Sequence, residues 1–194
     1  MKKLKEKGKV FVLSAPSGTG KSTIVKRLMR KNLHIKRSVS YTTRLPRKGE
    51  TDKKDYFFIT PSEFKRKIKK GFFVEWAVVH GHYYGTSHSF INKVIKGGGK
   101  LLLLIDTQGA FQIRRKYARN STLIFILPPS MKELEKRLRK RRTETAETIF
   151  HRLQTAKKEI RKIKYYDYVV VNDKLEKAVR EIKNLITQIN KNSR

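Results

Sequence analysis

The sequence predicts an α/β fold in which a parallel β-sheet is flanked by helices. Segments typical of strands and of helices alternate along the chain, which is the pattern of parallel strands joined by crossover helices. The run LLLLID at Leu101–Asp106 is continuously apolar up to its last residue, as expected of a strand buried on both faces. A glycine-rich loop, APSGTGKS at Ala15–Ser22, follows the first strand and precedes the first helix.

This first strand, loop and helix have the pattern of a phosphate-binding loop. Residues 9–15 are mostly aliphatic or β-branched, and apolar residues recur at helical spacing from Ser22 onward. The loop matches G-x-x-x-x-G-K-[ST], except that alanine replaces the first glycine. Its N–H groups and lysine suit phosphate oxygens, and its serine hydroxyl can bind Mg²⁺. The loop residues predicted to bind a nucleoside triphosphate, usually ATP or GTP, are Ala15, Pro16, Ser17, Gly18, Thr19, Gly20, Lys21, Ser22 and Thr23. An ordinary turn that uses glycine only to reverse the chain is the alternative.

The segment from about residue 38 to 88 is expected to be a small inserted α+β region. Residues 34–60 carry short alternating runs and turn residues, which favour short strands. Pro61–Gly71 starts with a capping pattern and ends at glycine, as a short helix would. Phe72–Ser87 is typical of two strands joined by a Gly-His turn.

The second half of the chain continues the alternation. Helices are predicted at 89–96, 108–117, 130–166 and 174–191, the third with a break near Arg142–Thr143, and strands at 121–127 and 167–173. Asp106 ends an apolar strand, where a carboxylate can contact the shell of a bound Mg²⁺ or an acceptor. A simple helix cap is the alternative for this residue.

Length and composition favour one cytoplasmic domain. The chain has 194 residues and no cysteine, which excludes disulfides and fits a reducing compartment. The N-terminal apolar run Val10–Leu13 is too short for a signal peptide, and no stretch is long enough for a membrane helix. We therefore expect a cytoplasmic protein without a membrane partner.

The net charge of +32 predicts attraction to polyanions. Nucleic-acid binding, an anionic small substrate and a lysine-rich bias over solvated faces are all consistent with it. The basic residues are spread along the whole chain, which favours a diffuse field over one binding patch, and no nucleic-acid function is assigned.

Several long segments, in order, resemble guanylate kinases. They are SVSYTTRLPRKGETDKKDYFF, FFVEWAVVHGHYYGTS, IDTQGA, RRTETAETIFHRL and VVVND. The resemblance runs from Lys9 to about Ile189, and its most specific parts are S-x-T-T-R-x-P-R and E-W-A-x-x-H-G-x-Y-Y-G-T. It implies a phosphate-loop NTPase fold in a single domain, with a core of about 9–37, 89–135 and 153–194, a GMP-binding region of about 38–88 and a helical lid of about 136–152.

The resemblance also implies which residues bind GMP. They are Ser40, Arg44, Arg47, Tyr56, Glu75, Tyr84, Thr86 and Asp106. Two arginines around a proline form a basic fork that suits a phosphate monoester, and tyrosine hydroxyls can donate to the same phosphate. Guanine offers N1–H and N2–H₂ donors on one edge, which adenine lacks, so a carboxylate at Glu75 can select guanine. Alone, Glu75 could equally be a surface strand residue.

By the same resemblance, the lid arginines would neutralise charge on the transferred phosphoryl group. The implied catalytic residues are Lys21, Arg44, Arg137, Arg141 and Arg152, while Asn172 matches a position near the adenine of ATP. Mg²⁺ would be bound by Ser22 and Asp106, the latter directly or through water. The chain departs from the family in having Leu104 where aspartate is common and Arg142 where glycine is common.

The sequence therefore predicts Mg²⁺-dependent transfer of the ATP γ-phosphoryl group to GMP, or to dGMP, within purine nucleotide metabolism. The main alternative is a guanylate-kinase-like scaffold that has lost catalysis, which Leu104 favours and the intact loop disfavours. A related kinase acting on a phosphorylated sugar is a further alternative. It would not need the tyrosine and glutamate set.

Overall fold

The computed structural model describes residues 8–31, 33–79, 81–140 and 145–191. Its strands are β1 (Lys9–Ser14), β2 (Ile35–Arg37), β3 (Ser40–Thr42), β4 (Tyr56–Phe58), β5 (Phe73–Val79), β6 (His82–Ser87), β7 (Lys100–Leu104), β8 (Ser121–Leu127) and β9 (Tyr168–Val171). Its α-helices are α1 (Lys21–Met29), α2 (Pro61–Lys69), α3 (His88–Lys96), α4 (Thr107–Lys116), α5 (Met131–Arg139), α6 (Ala146–Ile160) and α7 (Leu175–Lys191). A short 3₁₀ turn spans Ile163–Tyr165.

The strands form two sheets. The central sheet has five strands in the order β2-β7-β1-β8-β9, and the second has four in the order β4-β3-β6-β5. In the central sheet β8 and β9 run parallel, with Ile124 opposite Tyr168. In the smaller sheet β3 pairs parallel with β4, whereas β3–β6 and β5–β6 are antiparallel. The predicted α/β class, a parallel sheet flanked by helices, is confirmed.

Contacts divide the chain into two compact units. One consists mainly of residues 36–121, and the other of residues 11–35 together with the chain from 122 onward. In the first unit, Phe64 is fully buried and stacks on Phe73 with ring centroids 4.4 Å apart. In the second unit, α5 packs against α6 through a buried cluster that includes Leu134, Leu138 and Ile149.

Side-chain caps explain where several helices begin. Thr60 accepts a hydrogen bond from the Glu63 N–H, and Pro61 occupies the first turn of α2. Ser130 accepts in the same way from Glu133 at the start of α5. Such caps satisfy N–H groups that the first turn leaves without helical partners. The capping pattern predicted from the sequence began at Pro61, whereas the observed N-cap of α2 is Thr60, one residue earlier.

The helix predicted over 130–166 differs from the observed one. The structure has α5 and α6 there, and the predicted break near Arg142–Thr143 lies outside the described residues. Helix α6 ends at Ile160, although helical periodicity continues beyond it. The 3₁₀ turn follows, and then Asp167 pairs with Leu123 of β8: its N–H donates to the Leu123 carbonyl, and its carboxylate accepts from the Leu123 N–H. The helix therefore ends six residues before the predicted end at 166, whereas β9 begins at Tyr168, one residue after the predicted start of the strand.

Candidate active site

The phosphate loop adopts the backbone conformation that its glycines allow. Gly18 and Gly20 have φ values of 94° and 98°, a region that residues with a Cβ rarely adopt. Gly20 is the N-cap of α1, and its carbonyl accepts from the Ile24 N–H at 3.0 Å. Lys21, Ser22 and Thr23 form the first turn of α1. The positive end of the helix dipole therefore lies at the loop, as an anion site requires.

Close packing makes the same two glycines necessary. A Cβ at Gly18 would lie 2.8 Å from Leu138 Cδ2, and one at Gly20 would lie 2.8 Å from Asn172 Nδ2. Ala15 is 7% exposed, directly after β1. The alanine that departs from the motif is thus buried where the strand ends, and the two loop glycines that sterics demand are both present.

Two side chains hold the carbonyl of Thr19. Asn172 donates to it from Nδ2 at 2.7 Å, and Arg137 donates from Nη1 at 3.3 Å. Arg137 also donates to the Asn172 carbonyl at 3.1 Å and to Glu133 Oε1 at 2.9 Å. Asn172 and Arg137, which the resemblance linked to adenine and to phosphoryl charge, therefore both contact the main chain of the loop.

The loop contacts one further arginine. Arg152 on α6 donates from Nη1 to the Ser17 hydroxyl at 2.7 Å. Thr19 is fully buried, and its hydroxyl oxygen has no hydrogen-bond partner among the described residues. Arg141, the third predicted lid arginine, lies outside the described residues. Arg137 and Arg152, two of the predicted lid arginines, thus both contact the loop, and their roles in catalysis remain predictions.

The residues expected around guanine form a buried hydrogen-bonded row across three strands. The Ser40 and Thr86 hydroxyl oxygens are 3.3 Å apart, and the Thr86 hydroxyl donates to Glu75 Oε1 at 2.5 Å. Each of the three residues is buried. They belong to β3, β6 and β5, and the pairing of Glu75 with Thr86 in the sheet places their side chains side by side.

The environment of Glu75 favours its protonated form. Burial, together with the charge of Asp106, raises the pKa of Glu75 to about 7, against the lowering effect of the hydrogen bond from Thr86. Asp106 caps α4, because its Oδ1 accepts from the Gly109 N–H at 2.9 Å. The cap proposed as the simpler explanation for Asp106 is therefore present, alongside its position next to Glu75.

The arginine fork is organised by an acid that the sequence did not single out. Glu50 binds Arg44 Nη2 with both carboxylate oxygens at 2.9 Å, and its Oε2 accepts from the Arg47 N–H at 2.8 Å. The Arg47 side chain itself is exposed. The only signal for Glu50 was an acid three residues beyond a basic fork, at the end of a Pro-Arg-Lys-Gly turn.

The two predicted tyrosines lie beside Arg44. The Arg44 guanidinium carbon is 5.6 Å from the centre of the Tyr56 ring, and the Tyr56 and Tyr84 rings meet edge to face at 6.0 Å. Burial, followed by the neighbouring Tyr84, raises the pKa of Tyr56. Its hydroxyl therefore carries a proton at neutral pH and can donate a hydrogen bond to an anion.

The chain offers few acidic groups for a metal. Among the described residues, no group of three or more His, Cys, Asp or Glu side chains could hold a metal ion. Mg²⁺ commonly binds through one or two protein oxygens together with substrate phosphates and water. The Ser22 hydroxyl, exposed in the first turn of α1, suits that mode of binding.

A strand, glycine loop and helix on a central parallel sheet define a phosphate-loop nucleotide-binding protein. A second group of residues consists of a basic fork, two tyrosines and a buried acid. Such a group suits a second anionic ligand, one whose base hydrogen-bonds to the acid. The comparisons with known proteins narrow this class. The chain belongs to the guanylate kinase family, whose family model matches residues 7–189.

Individual relatives agree along almost the whole chain. It is 46% identical to a guanylate kinase from Caldanaerobacter subterraneus over 183 residues, 94% of this chain and 88% of that protein. It is 43% identical to one from Thermotoga maritima, over 93% of this chain and 86% of that protein. The crystal structure of guanylate kinase from Anaplasma phagocytophilum matches with a TM-score of 0.81 and 37% identity, covering 95% of this chain and 87% of that one. A gluconokinase from Sinorhizobium meliloti, 14% identical with a TM-score of 0.55, shares the fold.

No helix in the described part of the chain has the length and apolar character needed to cross a membrane.

Proposed function

We propose that this chain catalyses ATP + GMP ⇌ ADP + GDP, with the phosphate loop holding ATP and the residues around Glu75 and Arg44 holding GMP. The observation that carries the acceptor assignment is the buried row of Ser40, Thr86 and Glu75. When Glu75 is ionised, its two oxygens accept from guanine N1–H and N2–H₂, and adenine cannot supply that pair of donors. Ser40 and Thr86 reach the O6 or N7 side of the base, and Asp106 stands beside Glu75.

The GMP phosphate binds at the arginine fork. Arg44 and Arg47 supply positive charge, and the hydroxyls of Tyr56 and Tyr84 donate to the phosphate oxygens. Glu50 orients this group in advance, because it fixes the Arg44 guanidinium and the turn that carries Arg47. dGMP carries the same base and phosphate as GMP, so it is included as a second acceptor in the test below.

On the donor side, the N–H groups of residues 15–22 cradle the ATP phosphates and Lys21 reaches the terminal ones. Asn172 and Arg137 hold the loop in shape through the Thr19 carbonyl. Arg137, Arg141 and Arg152 neutralise charge on the transferred group and exclude water from it. Residues of the predicted lid, about 136–152, supply these three arginines.

The reaction is an in-line transfer. A GMP phosphate oxygen forms the new P–O bond to the γ-phosphorus as the bond to the β–γ bridging oxygen breaks, and ADP leaves with the negative charge. The attacking oxygen is already anionic at neutral pH, so the chain needs no general base. Alignment and charge neutralisation by Lys21, Arg44 and the lid arginines account for the rate.

Mg²⁺ fits this site as a substrate-borne ion. Ser22 would supply a ligand to the ion, and Asp106 would act directly or through water. When bound, the ion neutralises charge on the β- and γ-phosphate oxygens. Leu104, half-buried at the end of β7, supplies no oxygen to the hydration shell, which is the one feature that favours an impaired scaffold.

A nucleotide panel tests the assignment. ADP release should be followed with ATP, Mg²⁺ and each of GMP, dGMP, AMP, CMP and UMP, across a range of Mg²⁺ concentrations. We expect release with GMP and dGMP only. Release that is absent with every acceptor at all Mg²⁺ concentrations would support the scaffold instead, and release with AMP would contradict the role of Glu75.

Two sequence predictions stay outside this assignment. A cytoplasmic location remains a prediction from the sequence. Attraction of the +32 chain to nucleic acid also remains one; a mobility shift with RNA that disappears as salt rises would show a diffuse electrostatic effect.

A further inference from the structure

Gly109 lies directly against the carboxylate of Glu75. It is the third residue of α4, and an added Cβ would overlap Glu75 Oε2 and lie 3.1 Å from Glu75 Cδ. It would also lie 3.3 Å from Asp106 Oδ1. Both acids of the guanine-binding cluster therefore border the space that a side chain at position 109 would fill.

Backbone conformation does not require glycine here. The glycines with left-handed φ values in the described chain are Gly18, Gly20, Gly49, Gly71, Gly81 and Gly98, and Gly109 is not among them. Its φ suits any residue in a helix, and alanine is the better helix former. Space beside Glu75 is the reason that remains for glycine at this position.

A methyl group at position 109 would displace the carboxylate of Glu75. It is 2% exposed, and its Oε1 already accepts the Thr86 hydroxyl. A group at position 109 would push Oε2 away from α4 and turn the carboxylate about its bond to Thr86. A shift of this kind moves one oxygen of the pair that a guanine edge needs and leaves the other.

We propose that Gly109 is a positioning residue for guanine selection, whose lack of a side chain holds Glu75 Oε2 where it accepts from the base. The proposal rests on the proposed role of Glu75 in binding guanine. The residue acts through Glu75 and does not itself touch the substrate. Its N–H also donates to Asp106 Oδ1 at 2.9 Å. Position 109 therefore influences the orientation of both carboxylates, that of Glu75 and that of Asp106.

The test compares GMP with inosine monophosphate (IMP), whose base lacks the exocyclic amino group and so donates only N1–H. In Gly109→Ala the ratio of kcat/KM for GMP to that for IMP should fall about ten-fold, because a lost hydrogen bond to a charged group is worth about that much. The KM for ATP should not change. The melting temperature should stay the same or rise, since alanine favours the helix. A merely structural defect would lower kcat/KM for GMP and for IMP by the same factor and leave their ratio unchanged.

A control and a rescue complete the design. Gly97→Ala places a methyl at the C-cap of α3, where φ is −80° and the nearest atom is the Lys93 carbonyl oxygen at 3.2 Å; its ratio should equal that of the parent. The shorter acid in Glu75→Asp leaves room for the methyl, so adding Gly109→Ala to Glu75→Asp should cost less than two-fold further. This double variant also serves if Gly109→Ala alone fails to fold.

Glu75→Gln distinguishes the guanine-binding role of Glu75 from the positioning role of Gly109. If Glu75→Gln lowers the GMP-to-IMP ratio and Gly109→Ala leaves it unchanged, the role of Gly109 is wrong and the proposed function stands. If Glu75→Gln leaves the ratio unchanged, the guanine-binding role of Glu75 is wrong and the inference falls with it. Equal losses with and without Glu75→Asp would also overturn the role of Gly109.

Discussion

The phosphate loop is held mainly through its main chain, with one side-chain contact from Arg152 to the Ser17 hydroxyl, whereas the cluster around Glu75 is held through its side chains. Asn172 and Arg137 both donate to a single backbone carbonyl, that of Thr19. In the cluster, Ser40, Thr86 and Glu75 contact each other hydroxyl to hydroxyl and hydroxyl to carboxylate. In the proposed function, the first arrangement would bind a triphosphate through backbone N–H groups, and the second would select a base through the identity of its side chains.

The largest effect should come from the one loop side chain that carries charge to the phosphates. Lys21→Ala removes a contact that strengthens as the phosphoryl group moves, so kcat should fall by about 10²–10³-fold or more. GMP binding, measured by calorimetry without ATP, should be retained, because the acceptor residues are unchanged.

The exposed Lys26, five residues further along α1, is the matched control for Lys21. Lys26→Ala should leave kcat within about two-fold, since a solvent-exposed helix charge contributes little. Unchanged turnover in Lys21→Ala would contradict the assignment of that residue, and a parallel loss of GMP binding would show that the two regions do not divide the work as proposed.

The second prediction concerns stability and pH in the cluster. The pKa of Glu75 is about 7 when folded against a usual value of 4.5, so the folded chain prefers the protonated acid. The stabilisation is fully present below about pH 4.5 and is lost as pH rises through 7, by up to about 3 kcal/mol. Glu75→Gln stays neutral throughout. Between pH 5 and pH 8 the parent should therefore lose free energy of unfolding relative to Glu75→Gln in urea titrations.

A largely exposed acid gives the control for that titration. Glu176 has a side chain 62% exposed, and Glu176→Gln should differ from the parent by a similar amount at both pH values. If Glu75→Gln behaved in the same way, the carboxylate would be ionised in the folded chain at both pH values, and its burial would not govern its charge.

The same contrast explains what the sequence could reveal. The phosphate loop is a run of consecutive residues with a local conformation, so Gly18, Gly20 and Lys21 could be predicted from spacing alone. The predicted hairpin over Phe72–Ser87 brings Glu75 and Thr86 onto neighbouring strands, but no local pattern brings Ser40 to them, and the resemblance to a family supplied their binding roles. Glu50 and Gly109 were missed because their importance depends on what they contact after folding. Likewise, Asn172 meets the Thr19 carbonyl 153 residues earlier in the chain, a contact with no local signal.

The third prediction tests the support of the loop. Asn172→Ala removes the 2.7 Å hydrogen bond to the buried Thr19 carbonyl, but Arg137 still donates to it. We therefore expect the free energy of unfolding to fall by about 1–2 kcal/mol. This is less than the cost of leaving a buried carbonyl without any donor. The KM for ATP should rise several-fold and the KM for GMP should stay the same. Asn92→Ala, which removes an exposed contact to Tyr117, is the control. A higher KM for GMP alone would contradict the donor-side role of Asn172.

The smallest effect is expected at Glu50, where two influences oppose each other. Glu50→Gln removes an anion that competes with the GMP phosphate for Arg44, yet it also releases the guanidinium held by both oxygens at 2.9 Å. Orientation should dominate, because Glu50 Oε2 also fixes the Arg47 N–H and so joins both arginines of the fork. The KM for GMP should rise by about three- to ten-fold, as for one partly exposed ion pair with good geometry, and the KM for ATP should not change.

The control is Glu63→Gln, which breaks a surface pair with Lys67 and should change neither KM. A lower KM for GMP in Glu50→Gln would mean that Glu50 restrains phosphate binding, and the acceptor region would then be tuned by competition as well as by position.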